Sequence, residues 1–517
     1  MEGSFYSLIP PLLMLVLVLL TRKVFLSLGT GIVVGALLIH KFDIIASLQQ
    51  IWLVFRDIFY SADGWELGNI YLLVFFLLLG IMTVTMTASG GSRAFGEWAI
   101  RKVKTRKGAQ FVPPFLGIVI FIDDYFNSLA VGQVARPLTD RYKISRAKLA
   151  YYIDSTSAPM TVITPISSWG AYIIGTLGAI FATAGVTEFQ PLEAFVKMIP
   201  LNMYAFAAIL LVFLVVIFGI DIGAMRKHEK RAQETGEVFD PNKQTMAIDM
   251  KDEERINKNG TVWHLLIPII VLIVTTIAMM LYTGYVATEG TATILTMFEN
   301  TNVNLSLFTG GLLGVIVSFI LYVPLKGTKL SVGKVLKDGS LSMMPAIYIL
   351  LLAWMIGSII GIIDTSGYLV ELVNQMSFNV NYLALLLFVF SGFMALATGT
   401  SWGTFGIMLP IAAQIAHTYD VDLVLPAMAA VLAGAVFGDH CSPISDTSIL
   451  SSTGAGANHM DHVITQIPYA FIGAIATVIG YLVLGLTGQV LLSLGMTLLS
   501  VLLIALLIFM IKKQAKV

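Results

Sequence analysis

Residues 438–452 read GDHCSPISDTSILSS, and residues 155–169 read STSAPMTVITPISSW. Both stretches are rich in Ser, Thr and Asp, in a chain of 517 residues of which 57% are hydrophobic. Each places a proline between hydroxyl residues, in TPIS (164–167) and SPIS (442–445). Proline lacks a backbone N–H and pushes the preceding residue out of helical geometry. Pro165 and Pro443 therefore predict two broken helices, although either proline could also mark a simple kink.

The rest of the composition indicates a membrane protein. Apolar runs of about twenty residues, the length that crosses a bilayer, recur along the chain. Lys plus Arg and Asp plus Glu both number 31, so net charge favours neither nucleic acid nor a general acidic partner. The single Cys excludes a framework of intrachain disulfides. Continuous spans are predicted near residues 6–21, 24–40, 70–89, 200–222, 263–285, 304–323, 341–363, 465–485 and 489–511.

The positions of Lys and Arg predict the topology, because basic residues in short loops stay on the cytoplasmic side. If the N-terminus is outside, all 31 basic residues except Lys41, Arg56 and Lys197 fall on the cytoplasmic side, and none falls within a span. We therefore expect an integral plasma-membrane protein, of a bacterial inner membrane, with the N-terminus outside and the C-terminus cytoplasmic.

This topology requires two re-entrant hairpins. Basic clusters flank both ends of 111–135, so that segment must enter and leave on the cytoplasmic side, with its tip near Asp123 and Asp124. The segment 382–417 has no basic residue near either end, so it should enter from outside, with its tip at TGTSWGT (398–404).

The order of these features repeats along the chain. In each half a hairpin is followed by a polar loop, an apolar helix and a proline break, and Tyr125 to Tyr142 spans the same number of residues as Trp402 to Tyr419. Because the hairpins open to opposite sides, the fold class is an all-α polytopic membrane protein of two inverted repeats, with about 11 spans in total. The predicted divisions are a first repeat (1–222, hairpin 111–135, broken helix 147–182), a cytoplasmic connector (223–262), a second repeat (263–488, hairpin 382–417, broken helix 424–453) and an extra C-terminal helix with a cytoplasmic tail (489–517).

Charge at the breaks points to a cation. The predicted intramembrane acids are Asp123, Asp124, Asp154, Asp439 and Asp446, and no Lys or Arg is predicted at their depth. A carboxylate there costs roughly 3 kcal/mol or more unless it binds a cation or a proton. Asp123 and Asp124 are adjacent and point in different directions, so only one of them is expected to face the site. The sequence therefore predicts Na+, H+ or both, with Na+ at Asp124, Asp154, Asp439 and Asp446.

Several of these residues also have structural interpretations. Any one Asp could be a capping or interface residue, and His440 could be a hydrogen-bonding scaffold, although histidine titrates in the range needed for proton exchange. Cys441 could be a small buried filler, and Trp169 and Trp402 could be packing residues. His459 and His462 are expected in a solvated cytoplasmic loop. An intramembrane hydrolase with paired Asp, or a zinc centre built from His440, Cys441, His459 and His462, is an alternative from another functional class.

The motif GDHCSPISDTSILSSTGA (438–455), supported by FIDDYFNS (121–128) and STSAPMTVITPISSWGAY (155–172), resembles the NhaC family of sodium/proton antiporters in the ion-transporter superfamily. The resemblance covers essentially the whole chain and implies inverted repeats, a homodimer and a transport domain that moves against a scaffold. It implies a binding region at both hairpins and both breaks, which includes Asp123, Asp124, Asn127, Ser128, Asp154, Ser157, Thr161, Thr164, Ser167, Thr398, Thr400, Ser401, Trp402, Thr404, Asp439, His440, Ser442, Ser445, Asp446 and Thr447.

We therefore expect a cation-coupled secondary transporter, and a Na+/H+ antiporter in particular, that works by alternating access. The alternative within transport is Na+-coupled movement of a small organic solute, such as an amino acid or a dicarboxylate. No cofactor, enzymatic activity or nucleic-acid partner is expected, and Na+ and H+ are the expected transported or coupling ions. Each hairpin tip should close over the break of the opposite repeat.

Overall fold

The structure is a computed structural model, and it describes residues 4–21, 24–62, 64–241, 243, 256–288, 293, 297, 300–328, 330–363, 379–443 and 445–514. Regular structure within these ranges is almost entirely helical, as the composition predicts. A short antiparallel pair, β1 (Tyr60–Ser61) with β2 (Gly64–Trp65), is the exception. The described residues do not include Arg22 and Lys23, which are predicted on the cytoplasmic side, or Ile444 of the second predicted break.

Twelve helices are described before the end of the predicted connector. They are α1 (Ile9–Thr21), α2 (Val24–Ile39), α3 (Ile44–Asp57), α4 (Leu67–Ala88), α5 (Gly91–Lys102), α6 (Arg106–Val119), α7 (Asp124–Arg141), α8 (Arg146–Thr161), α9 (Ser168–Ala184), α10 (Pro191–Met198), α11 (Met203–Phe218) and α12 (Gly223–Thr235).

The described residues of the second half form nine more helices. They are α13 (Trp263–Ala287), α14 (Val303–Tyr322), α15 (Val332–Ile362), α16 (Leu383–Thr398), α17 (Ser401–Tyr419), α18 (Val424–Cys441), α19 (Asp446–Ala455), α20 (His459–Thr487) and α21 (Val490–Gln514). All nine predicted spans are therefore helical.

Six of these helices are long and apolar enough to cross a membrane, or seven spans if the bent pair Pro191–Leu201 and Met203–Phe218 counts as one, within the described residues. The predicted spans at α1 and α2 contain shorter apolar helices, and so does α16, which was predicted as part of the second hairpin. The presence of the predicted helices is confirmed, whereas the number of spans, their inversion and the re-entrant path of the hairpins stay predictions.

Both predicted hairpins and both breaks are present as helix interruptions. The first helix pair, α6 and α7, turns at 120–123, and the second pair, α16 and α17, turns at 399–400. The chain leaves helical structure at 162–167, around Pro165, and at 442, 443 and 445, around Pro443. The order of pair, helix, break and helix therefore occurs twice.

Glycines bring the interrupted helices close together. A Cβ atom at Gly434 or Gly438 of α18 would overlap backbone atoms of α16, and one at Gly132 of α7 would overlap the backbone of Gly454 in α19. Small residues at such crossings let helix backbones approach closely, as is common within membranes. The α7–α19 crossing thus joins the first helix pair to the second break.

The charge of residues 223–262 predicts a solvated connector, but the described part of this segment is only partly solvated. Its helix α12 packs against α8 and α20, with Met225, Glu229 and Ala232 buried, while residues 242 and 244–255 lie outside the described ranges. Burial alone would raise the pKa of Glu229, but Lys148 at 3.5 Å and Arg106 at 2.5 Å outweigh it, so the pKa lies below its ordinary value. The connector is therefore anchored to both halves.

Candidate functional site

The two breaks and the two turns each begin a helix with a capping side chain. Asp123 accepts the N–H of Phe126 at the start of α7, and Ser167 accepts the N–H of Gly170 at the start of α9. Thr400 and Ser445 cap α17 and α19 in the same way. Capping satisfies N–H groups that would otherwise lack partners, and each helix start carries a partial positive charge. The site is therefore framed by four helix N-termini.

The second break joins the second helix pair through Asp439. This carboxylate is 2% exposed and lies two residues before the end of α18. Its Oδ2 accepts the hydroxyl of Ser401 at 2.9 Å and lies 3.5 Å from the hydroxyl of Thr447. Its Oδ1 is buried with no hydrogen-bond partner among the described residues. Half of this carboxylate is therefore available to a ligand.

Asp446 joins the second break to the first helix pair. It is the first residue of α19, it is partly exposed, and its Oδ2 accepts the phenol of Tyr125 at 2.6 Å. Tyr125 lies directly after Asp124 in α7, so this bond holds the first turn against the opposite break. The expected closure of a tip over the opposite break is thus confirmed here.

The adjacent acids Asp123 and Asp124 have different surroundings, as predicted. Asp123 is the cap of α7, whereas both oxygens of Asp124 are buried without a hydrogen-bond partner among the described residues. The electrostatic fields of Asp123 and Asp446 both act on Asp124. Asp124 is therefore the better candidate for a cation ligand.

Asn127 and Ser128 hold the first turn in place. The Asn127 amide donates to the carbonyls of Gly117 at 2.7 Å and Ile120 at 2.8 Å, which closes the end of α6. The hydroxyl of Ser128 accepts from Ser451 of α19 at 3.3 Å. The N–H of Ser168 donates to the carbonyl of Ile122 at 2.8 Å, so the first turn also contacts the break of its own half.

The hydroxyls of the first break mostly satisfy backbone carbonyls. Ser157 donates to the carbonyl of Asp154, Thr161 to Ser157 and Ala158, Thr164 to Met160, and Ser167 to Thr161 and Thr164. Thr398 and Thr404 bond backbone carbonyls of the second helix pair in a similar way. Backbone at membrane depth must have its hydrogen bonds satisfied. These hydroxyls therefore stabilise the interrupted helices in this conformation.

The remaining predicted residues of the second break line its turn. Ser442 is buried and its N–H donates to the carbonyl of Asp439. The hydroxyls of Ser445 and Thr447 lie 3.0 Å apart. The carbonyl of Pro443 lies 2.7 Å from Nε2 of His459, which is the first residue of α20.

Asp154 lies at the centre of a buried polar cluster. Its Oδ2 accepts from Ser448 at 2.8 Å and Gln466 at 2.6 Å, and Nε2 of His462 lies 3.2 Å away. Its Oδ1 accepts from Ser451 at 3.3 Å. Both oxygens of Asp154 are therefore already bonded, unlike those of Asp124.

His462 corrects the sequence analysis, which placed it in a solvated loop. It is fully buried, because α20 begins at His459 and carries the next turn into the protein against Asp154. His440 lies near the same cluster: its Nδ1 is 3.0 Å from the hydroxyl of Tyr204, and its carbonyl accepts from Gln466 at 2.9 Å. Its Nε2 has no hydrogen-bond partner within the part of the chain that the structure describes.

The two predicted tryptophans form an aromatic wall. The rings of Trp169 and Trp402 are edge-on at 5.6 Å, and Tyr172 lies 4.8 Å from Trp402. Trp169 follows the first break and Trp402 follows the second turn, so this contact joins those two elements. Both tryptophans can therefore pack against neighbouring rings and also line the site.

Sequence analysis missed Ser448, Ser451, Gln466, Tyr125 and Tyr204 as site residues. His462 and Gln466 are four residues apart and thus share a helix face, as Ser448 and Ser451 do at a spacing of three. These two spacings indicate two polar helix faces, from which part of the cluster around Asp154 could have been predicted. Tyr204 carries no comparable local signal, because only the fold brings it to His440.

No group of three or more His, Cys, Asp or Glu side chains in the described ranges is arranged to hold a metal ion. The side chains of the alternative zinc centre therefore do not come together there. The four acids predicted to share Na+ are likewise not assembled around one point in this conformation. A cation would have to be held by fewer carboxylates, completed by hydroxyl and carbonyl oxygens.

A family model and a protein relative each match more than half of this chain. The model of a family described as the Na+/H+ antiporter family matches residues 160–486. An uncharacterised protein of Haemophilus influenzae is 46% identical over 519 residues, which cover 99% of this chain and 96% of that protein.

Two further similarities are partial or distant. The Malate-2H(+)/Na(+)-lactate antiporter of Bacillus subtilis is 39% identical over 95 residues, 17% of this chain and 20% of that protein. The crystal structure of the YdaH transporter of Alcanivorax borkumensis superposes with a TM-score of 0.54 over 90% of this chain and 88% of that one, at 12% identity. That likeness concerns the fold alone.

Proposed function

The chain belongs to the Na+/H+ antiporter family of integral membrane transporters, and from that premise we propose that it exchanges Na+ for H+. Members of this family are transporters and not enzymes, which disfavours a hydrolase. Cation-coupled transport follows from the family, whereas Na+/H+ exchange is our proposal.

One observation carries the proposal. Asp124 and Asp439 are buried beside the two interruptions, with three of their four carboxylate oxygens unpartnered among the described residues. In the described ranges, the five predicted intramembrane acids have one contact with a basic side chain within 4.0 Å, that of Asp154 with His462, which is an ion pair only when the histidine is protonated. A buried charge without a counter-charge is unstable unless a cation or proton occupies it. Competition between Na+ and H+ for these oxygens gives exchange.

The helix dipoles distinguish the carboxylates. Asp124 and Asp446 are the first residues of α7 and α19, where the positive helix end favours a negative charge. Asp439 lies near the C-terminal end of α18, where the dipole is unfavourable for a carboxylate. We assign the main site of ion and proton competition to Asp439, with Asp124 and Asp446 as further cation ligands.

Asp154 has a different proposed role. Its oxygens accept bonds from Ser448, Ser451 and Gln466, with His462 in reach, so Na+ would have to displace existing partners. We assign it, with His462 and His440, to holding or moving the proton rather than to the first shell of Na+.

Transport requires that the site opens to each side in turn. We propose that α6–α7 and α16–α17 are re-entrant hairpins of two inverted repeats, with the N-terminus outside and a homodimeric assembly. The repeated order of helix pair, helix, break and helix supports this arrangement.

Proteoliposomes with an internal pH dye test the exchange. An imposed Na+ gradient should move protons in the opposite direction, and Asp439→Asn should abolish this movement. Glu234→Gln is the matched control, because that side chain is 62% exposed on α12, which belongs to neither a helix pair nor a break. Absence of Na+-dependent proton movement at every pH, from protein that binds Na+, would refute the exchange.

A second candidate is Na+-coupled exchange of a small organic acid. The partial match to a malate–lactate antiporter and the four helix N-termini at the site favour it. Thermal shifts distinguish the candidates, because a cargo acid should stabilise the protein only in the presence of Na+. Stabilisation by Na+ alone, with no additional shift from malate, lactate or amino acids, would exclude this candidate.

A further inference from the structure

One face of α9 carries polar groups that lack partners. Trp169, Tyr172 and Thr176 are three and four residues apart, so their side chains share a helix face. They are 0%, 0% and 2% exposed, and the indole N–H and both hydroxyls have no hydrogen-bond partner among the described residues. A buried polar group left unpaired destabilises the folded state. Three in a row therefore indicate that water or a ligand occupies this face.

The inner end of this face reaches the candidate site. Trp169 lies within interaction range of the Asp124 carboxylate, but its indole N–H makes no hydrogen bond with the described residues. Tyr172 likewise lies near Thr176, and neither hydroxyl has a hydrogen-bond partner among the described residues. A small polar species between these groups would complete the missing bonds.

The other end of the face opens into a cavity of about 190 Å³ between α3, α4, α9 and α15. Its polar lining includes Asp57, Asn69, Thr176, Thr183, Trp354 and Ser358. The indole N–H of Trp354 is also buried and unpartnered among the described residues. A water molecule takes about 30 Å³ in the liquid, so this cavity has room for several.

We propose that the polar face of α9 is the access route by which a hydrated monovalent cation passes between this cavity and Asp124. The route has a carboxylate at each end: Asp57, whose side chain is 47% exposed and pairs with Arg56 through Oδ1 at 2.6 Å, and Asp124, which is buried. Between them, the hydroxyls of Thr176 and Tyr172 are hard oxygen donors that can replace part of a hydration shell. The indole N–H groups of Trp169 and Trp354 can donate to the accompanying water.

The proposal rests on the proposed function only in assuming that the species at Asp124 is a cation. Cys441 is the single native cysteine and is buried, so a cysteine introduced into α9 can be followed separately by mass spectrometry. The probes are a cationic and an anionic methanethiosulfonate of similar size, both membrane-impermeant. Each is applied to one membrane face at a time, on whole cells and on inside-out vesicles.

The test variants are Thr183→Cys at the cavity and Thr176→Cys deeper along the route. Leu177→Cys is the matched control, because Leu177 is adjacent to Thr176 but is fully buried in the hydrophobic core. Thr176→Cys should react at least tenfold faster than Leu177→Cys, from one face of the membrane alone. That face should be the one from which Asp57→Cys reacts, and the cationic reagent should react at least tenfold faster than the anionic one.

A Thr176→Cys rate equal to that of Leu177→Cys would overturn the route, whatever Thr183→Cys does. Equal rates with the two reagents would overturn its assignment to a cation. A monodisperse size-exclusion profile for each variant keeps folding defects apart from access. Labelling requires no transport, so a failure of Na+/H+ exchange in proteoliposomes leaves this test intact.

Discussion

The substitution Asp439→Asn separates the structural role of this residue from its role in ion exchange. Asparagine keeps an oxygen that accepts from Ser401, and its amide nitrogen replaces Oδ1, which has no partner among the described residues. The contact with Thr447 is long, at 3.5 Å. At most one hydrogen bond is weakened, so we expect a loss of about 1 kcal/mol in the free energy of unfolding. The melting temperature should then fall by about 4 °C or less.

The effect on ion binding should be much larger. If one proton leaves the Asp439 carboxylate for each Na+ bound, the apparent Kd for Na+ changes tenfold per pH unit while protons compete, which is about 1.4 kcal/mol per unit. Asparagine cannot be protonated in this range, so the Kd of the variant should be weaker and should depend less on pH, with only the other carboxylates left to exchange protons.

Binding of radioactive Na+ to purified protein, measured at several pH values, checks the predicted pH dependence of the Kd. A thermal-shift measurement on the same variant checks the predicted melting temperature. Glu234→Gln should behave like wild type. A tenfold pH dependence that survives in Asp439→Asn would refute competition at this carboxylate. A variant that loses its monodisperse profile would instead show that Asp439 is needed for folding.

Three further predictions concern stability. Gln466→Leu removes the donor that Asp154 and the carbonyl of His440 share, so it should lower the free energy of unfolding by about 2–3 kcal/mol in a thermal-shift series; an unchanged melting temperature would contradict this bond network. Gly132→Ala should separate α7 from α19 and cost stability, whereas Gly333→Ala, at a helix position with open space, should not; equal melting temperatures would contradict the close crossing. The lowered pKa of Glu229 adds stability that is present above its ordinary pKa of about 4.3 and lost as the pH falls toward the folded-state pKa, so Glu229→Gln should flatten the stability of the protein below that pH. Identical acid-unfolding profiles would show that this carboxylate has no such role.

The interruptions of the helices could be predicted because they have local causes. Pro165 and Pro443 disfavour helix at the preceding residue, and each is followed two residues later by a Ser that caps the next helix, whereas Pro137, Pro159 and Pro410 lie inside helices. The turn at 399–400 follows from Gly399, whose positive φ lets α16 end there, and from the cap Thr400 that starts α17. Asp123 starts α7 in the same way. Each interruption is therefore determined by residues that lie within a few positions of it in the sequence.

The contacts of the site could be predicted only in part. Asp124, Asp439 and Asp446 were identified by their charge in an apolar chain, and the structure places each at an interruption. The partners of Asp154 come from α19 and α20, roughly three hundred residues away, where local sequence gives no distance information. His462 was misplaced because the polar residues before it resemble a loop, and burial of the first turns of α20 depends on packing against α8.

The packing of the connector helix α12 was also missed. α12 is rich in charge, so its composition favours a solvated segment. Buried ion pairs of Glu229 with Lys148 and Arg106 reverse that expectation. Such pairing depends on which loops meet in three dimensions.

Proton release on Na+ binding is the most direct test of exchange at the helix breaks. Purified protein in a weakly buffered detergent solution is mixed with NaCl, with choline chloride as the ionic-strength control, and the pH change is measured. Competition predicts that Na+ releases about one proton per carboxylate it occupies and that Asp439→Asn releases fewer. Saturable Na+ binding without any proton release between pH 6 and 9 would contradict it and would leave Na+ as a driver or a structural ion.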